Sequence, residues 1–146
     1  MEKVVEFVRL GYQDDVSDYF RTREIRDPDL VMRCLAAIGE YNEFEPRLVW
    51  EKLKPIIGEF RGVQVGREGS PVIYLWLPYW EWQKMKYGDE RPKDERQLSH
   101  EEIEELKKRA IKALREAKAD EAEEVKYVLE NGETVVLFDV IRGWWD

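Results

Sequence analysis

Val72-Ile73-Tyr74-Leu75-Trp76-Leu77 is the stretch on which the fold turns. Every position is apolar, so an extended segment here has no face to offer to water. That pattern predicts a central strand covered on both sides. Upstream, Val63 and Val65 alternate with polar Gln64 between the flexible Gly62 and Gly66. Arg67-Glu68-Gly69-Ser70-Pro71 has the composition of a turn. Residues 60–66 and 72–77 therefore read as a β-hairpin.

Downstream, Tyr79-Trp80-Glu81-Trp82 reads as the start of a short helix running to Tyr87, with Gly88 as its stop. Asp89 through Gln97 is wholly polar and reads as a surface loop. Ser99 and Glu102 then stand at capping-box spacing, each able to satisfy the other's free backbone N–H. Leu98 and Ile103 occupy the two positions of a hydrophobic staple. Ile103, Leu106, Ala110, Leu114 and Ala117 make one apolar stripe, with Glu and Lys elsewhere, as an amphipathic helix requires. A second hairpin follows. Val125, Tyr127 and Leu129 alternate, Asn131-Gly132 suits a two-residue type I′ turn, and Val135 to Ile141 returns. Gly143-Trp144-Trp145-Asp146 closes the chain.

The N-terminal part reads as helical. Val4 to Leu10 fits either a strand or a helix face and is expected to stop at Gly11. Asp14 or Asp15 then caps a short helix that turns Val16, Tyr19 and Phe20 inward. Asp27 as N-cap, Pro28 in the first turn and Gly39 as stop bound a helix with Leu30, Val31, Cys34, Leu35 and Ile38 on one face. A further helix starts at Pro46, buries Val49, Trp50 and Leu53, and is ended by Pro55 and Gly58. The sum is one α+β domain over 1–146: a helical part to about residue 58, then β-β-α-β-β from about 59. The expected core is a four-stranded antiparallel sheet packed against the long helix.

Bulk composition narrows the function classes. The 146 residues are 43% hydrophobic, enough for a core without staples. No apolar run approaches the roughly 18 residues of a membrane span, and Glu2, Glu6 and Arg9 interrupt any leader-like segment. A lone cysteine, Cys34, permits no internal disulfide, so a cytoplasmic location is expected. The 38% charged content, with few Asn and Gln, has the bias of thermophile proteins. Net charge is −8, and residues 61–98 carry 7 basic against 6 acidic groups, so no basic segment hides in the middle. Long-range repulsion from phosphate backbones disfavours nonspecific nucleic-acid binding.

The groups that catalysis and metal binding need are sparse. His100 is the only histidine and falls in the first turn of the long helix, so no His-based zinc site can form within one chain. Ser17, Ser70 and Ser99 are the only serines, none in a nucleophile-elbow context. Cys34 lies on an apolar helix face, which suits packing better than reactivity. Gly66-Arg67-Glu68-Gly69-Ser70 resembles a phosphate-cradling loop but lies between two strands and lacks the lysine. Glu124-Val125-Lys126 at a strand start has the Glu-x-Lys spacing of metal-dependent nucleases. Asp14, Asp15 and Asp18 fit a capped helix start better than a Mg²⁺ site. Binding without a cofactor is expected, and a carboxylate-metal enzyme is the least favoured alternative.

Two binding features stand out. Tyr74, Trp76, Tyr79, Trp80, Trp82 and Tyr87 form an aromatic cluster, followed by Arg91, Lys93 and Arg96. Consecutive rings at Tyr79, Trp80 and Trp82 cannot all face one core, and exposed Trp and Tyr are typical of interfaces. Tyr79, Trp80, Trp82, Tyr87 and Arg91 are thus the expected contact residues, toward a partner protein or a second copy in a homodimer. The other feature is an order of elements. Helices near 15–25, 28–39 and 46–54 before the first hairpin resemble a winged-helix DNA-binding module. The resemblance implies that 46–54, with Arg47, Lys52 and Lys54, is the recognition helix and that Arg67-Glu68-Gly69 is the wing tip. Such architectures also serve as protein-binding scaffolds, which the acidic charge favours.

Overall fold

The structure, a computed structural model, describes residues 2–13, 18–78 and 98–146. These form an α+β fold in the order α1 (Glu2–Gln13), β1 (Tyr19–Arg21), α2 (Pro28–Ile38), α3 (Pro46–Leu53), β2 (Gly62–Glu68), β3 (Ser70–Trp76), α4 (His100–Glu116), β4 (Glu121–Val128) and β5 (Thr134–Trp144). A short 3₁₀ turn, Ile57–Glu59, links α3 to β2. The sheet is antiparallel with strand order β1-β2-β3-β5-β4, so the all-apolar segment is indeed its central strand. It has five strands rather than the expected four. The fifth, β1, comes from the part read as helical: Tyr19 lies opposite Glu68 and Arg21 opposite Gly66. Three residues carry no readable period, and β1 exists only because the β2 edge receives it.

Gly11 does not stop the first helix, which runs through it to Gln13. A Cβ at Gly11 would stand 2.6 Å from the Phe20 ring, so its lack of a side chain serves packing rather than termination. α2 forms as its signals predict: the Asp27 carboxylate accepts from the Asp29 N–H at 3.0 Å, and Leu30, Val31, Cys34, Leu35 and Ile38 are all buried. α4 carries its capping box, with Ser99 and Glu102 hydrogen-bonded reciprocally. Both staple residues, Leu98 and Ile103, are buried, as is the whole stripe from Ile103 to Ala117. α4 lies close on the sheet at Gly143, where an added Cβ would meet the Leu114 side chain at 2.8 Å.

The first hairpin is tighter than expected. β2 and β3 pair out to Glu68 opposite Ser70, and the reversal falls on Gly69 at φ +74°. The second hairpin departs from the two-residue turn. Asn131 keeps a negative φ and only Gly132 is left-handed, at φ +87°. The Gly132 N–H donates to the Leu129 carbonyl at 2.9 Å, and the Asn131 side chain accepts from the Glu133 N–H at 2.9 Å. This is a four-residue turn closed by a left-handed glycine, the other common hairpin solution.

The core lies between the helices and the sheet face made by Val63, Val65, Ile73, Leu75 and Ile141. The penultimate residue belongs to it. Trp145 is wholly buried, meets Phe44 edge-to-face at 5.1 Å, and donates its indole N–H to the Ala117 carbonyl at 2.9 Å. No helix among the described residues is long and apolar enough to cross a membrane.

Candidate contact surface

Alternation along β3 sends Ile73 and Leu75 to the helices and Val72, Tyr74 and Trp76 to the opposite face. Register then places Gln64, Tyr74, Arg142 and Glu123 in one row across four strands. Val72, Tyr74 and Val140 form a second, smaller buried cluster there, with Trp76, Val125, Leu137 and Trp144 packed around it. Polar groups bind this face together. The Tyr74 hydroxyl donates to the Glu68 carboxylate at 2.7 Å, and Arg142 donates to Glu68 at 3.3 Å and to Glu121 at 2.6 Å. The Trp76 indole donates to Gln64 at 2.7 Å, and that of Trp144 to the Glu68 carbonyl at 3.0 Å. Guanidinium groups lie over the rings: Arg21 over Tyr74 at 4.6 Å and Arg61 over Trp76 at 5.2 Å. Such stacks contribute about 0.5–2 kcal/mol each, depending on desolvation.

Burial, with the Glu68 hydrogen bond and charge added, pushes the Tyr74 phenol up to about 12. Tyr74 therefore stays a hydrogen-bond donor throughout the neutral range and offers no base. For Arg142, burial opposes the charged form, but the hydrogen bond to Glu121 and the charge of Glu68 outweigh it and hold its pKa above the usual value. The face is a network of stacked and paired groups, in which Arg61 also lies 3.8 Å from the buried Asp139 carboxylate.

Of the expected contact residues, Tyr79, Trp80, Trp82, Tyr87 and Arg91 lie outside the described residues, as do the expected helix at 79–87 and the polar loop after it. Their neighbours in the cluster are described: Tyr74 is buried and Trp76 half-buried. Asp14 and Asp15 also lie outside the described residues, and Asp18 stands 3.9 Å from Arg67. Tyr19, expected to turn inward, is 72% exposed at the sheet's edge. Cys34 is buried and its thiol is pushed up to about 11 by that burial. His100 is exposed. Among the described residues no group of three His, Cys, Asp or Glu side chains is placed to hold a metal ion.

In the element order compared with a winged helix, the described part of the segment expected as a helix near 15–25 holds the strand β1. Of the positions taken for recognition helix and wing, Lys52, Arg67 and Glu68 are engaged within the chain, whereas Arg47 and Lys54 are exposed. Lys52 pairs with Glu116 of α4 at 3.4 Å, Arg67 lies over the Tyr12 ring at 5.7 Å, and Glu68 holds Tyr74 and Arg142.

What sequence reasoning missed is at the far end of β4 and β5. Glu124 pairs with Ile141, but the next residue, Val125, pairs with Leu137, so three residues of β5, 138–140, fall between consecutive pairs, more than the single extra residue of an ordinary bulge. β3 ends its pairing with β5 at Trp76 and Val140. Beyond that point, among the described residues, β4 and β5 continue as a two-stranded arm, Val125–Val128 against Thr134–Leu137. Tyr127, Val128, Leu129 and Phe138 are all exposed on it, Val128 to 69%. At the arm's root Lys107, itself only 3% exposed, lies over the Phe138 ring at 5.3 Å and pairs with Glu104 at 3.4 Å and Glu124 at 3.7 Å. A usable signal was present: Tyr127-Val128-Leu129 is apolar on both alternating faces beside a turn, where one face at most can be covered.

No family model matches the chain, and neither the curated proteins nor the solved structures contain a match to it.

Proposed function

We propose that this chain is a non-catalytic interaction module that binds a second copy of itself through the β4 edge and the β4–β5 arm. The exposed apolar residues of the arm carry this reading. Tyr127, Val128, Leu129 and Phe138 are exposed on or beside a strand pair whose outer strand, β4, ends the sheet among the described residues. An open strand edge with apolar side chains is a template for pairing with another strand. Scattered single exposed apolar residues are ordinary, whereas four on or beside one strand pair, on both its faces, favour association. An antiparallel pairing centred on Val125 sets Lys126 opposite Glu124 of the partner subunit, and the reverse, with no like charges directly opposed. It also sets Val128 against Ala122 of the partner subunit. Self-pairing needs no basic surface, in keeping with a chain of net charge −8. The nucleic-acid alternative has weaker support, because Lys52 and Arg67 are already engaged within the chain.

Sedimentation velocity across a concentration series tests this. The expected species has twice the 17.5 kDa chain mass, and added salt strengthens it by screening the acidic copies from each other. Tyr127→Lys with Val128→Lys, both exposed and so compatible with folding, is expected to yield monomer with an unchanged circular dichroism spectrum. A wild-type chain that stays monomeric at about 0.5 mM, a concentration sufficient for even millimolar affinity to show, refutes the self-pairing.

A further inference from the structure

A cavity of about 390 Å³ opens between the first turns of α1 and the end of β1, at the sheet edge opposite the arm. Among the described residues it is lined by Lys3, Val4, Phe7, Arg21, Thr22 and Arg23. Its volume falls within the range of roughly 300–1,000 Å³ usual for small-molecule sites. Three of those six residues are cationic and none is acidic, in a chain whose net charge is −8. Several cations elsewhere are met by carboxylates, as Arg9 is by Glu6, Arg61 by Glu24, Arg109 by Glu59 and Arg142 by Glu121. Lys3 and Arg23 have no such partner among the described residues, although the chain offers carboxylates in excess. The apolar part of the lining is held in place. The Phe7 ring meets Phe20 edge-to-face at 5.2 Å, and the Thr22 hydroxyl is fixed by accepting from the Val65 N–H at 3.1 Å.

We infer that this cavity binds a small organic anion, a phosphate ester or carboxylate with a flat apolar body. The anionic group would lie between Lys3 and Arg23, the Arg21 guanidinium being stacked on Tyr74, and the body against Val4 and Phe7. Charge-assisted hydrogen bonds to a guanidinium supply the recognition, and the half-exposed Phe7 ring supplies the apolar contact. Nothing in this inference depends on self-association.

Phenyl phosphate is a suitable probe, titrated against the full chain by calorimetry, with benzyl alcohol as its uncharged counterpart. Saturable binding of phenyl phosphate is expected, weakening as salt rises. Lys3→Ala with Arg23→Ala is expected to weaken it at least about tenfold, the loss of one charge-assisted contact or more. Both side chains are exposed, so the fold should stand, and an unchanged melting temperature checks that. Lys108→Ala with Lys112→Ala, which removes the same charge from the α4 surface, is expected to leave the affinity unchanged. The inference is overturned if phenyl phosphate does not bind, or if benzyl alcohol binds as tightly. It is equally overturned if the α4 variant loses as much affinity as the cavity variant.

Discussion

Replacing Trp145 examines whether the last residues of the chain are structural. The side chain is wholly buried, its ring stands edge-to-face on Phe44, and its indole N–H donates to Ala117, the residue that caps α4. Its backbone N–H also donates to the Pro71 carbonyl at 3.0 Å, which ties the end of β5 to the start of β3. Trp145→Ala removes the largest fully buried side chain among the described residues, and truncations of this kind cost about 3–5 kcal/mol. The lost indole bond adds about 1 kcal/mol. For a chain of this size each kcal/mol lowers the melting temperature by about 2–4 °C, so a fall of about 10–20 °C is expected. Trp145→Phe keeps an aromatic ring beside Phe44 and loses the N–H, and should cost about 1–3 kcal/mol. Urea unfolding followed by far-ultraviolet circular dichroism gives both values. A Trp145→Ala protein within about 1 kcal/mol of the parent refutes the reasoning, since a buried indole cannot be that cheap to remove.

Two further expectations concern titratable groups. The Tyr74 phenol keeps its proton to about pH 12 in the folded chain, above its ordinary value of 10.0, so the stability this contributes is complete below pH 10 and is lost as pH rises toward 12. Burial raises the Tyr12 phenol as well, so ultraviolet titration should show a late-ionising amplitude that falls by one phenol in Tyr74→Phe, and an unchanged late amplitude counts against the Glu68 network. The Cys34 thiol, buried and pushed up to about 11, should resist a water-soluble disulfide reagent at pH 8 in the native protein and react once the chain is unfolded in urea. Rapid native labelling contradicts the packing of α2 against the core.

The helices with complete local instructions were legible. α4 combined a capping box, a staple and a single stripe, and α2 combined Asp27, Pro28 and a bounding glycine, so propensity, capping and burial agreed. β3 was legible for a different reason: apolar residues on both faces leave water no side, and only a sheet interior satisfies them. Where a glycine or an Asn-Gly pair was read by its commonest use, the reading failed. Gly11 answers to the Phe20 ring rather than to helix termination, and Asn131 spends its side chain on the Glu133 N–H instead of adopting a left-handed backbone. A surplus of apolar side chains was expected at 79–87, outside the described residues, and the exposed set that the structure describes stands on the β4–β5 arm.

By itself the order of residues determined the class of fold, the start of the long helix and the identity of the central strand, because the caps and apolar patterns that mark them lie within a few residues of one another. Only the tertiary structure decided that Tyr19–Arg21 joins the sheet as a fifth strand, that a bulge at Val125 frees an arm, and that Lys3, Arg21 and Arg23 meet around one cavity. Each of those depends on partners far along the chain, and local preference is silent about which distant edge or charge a segment will meet.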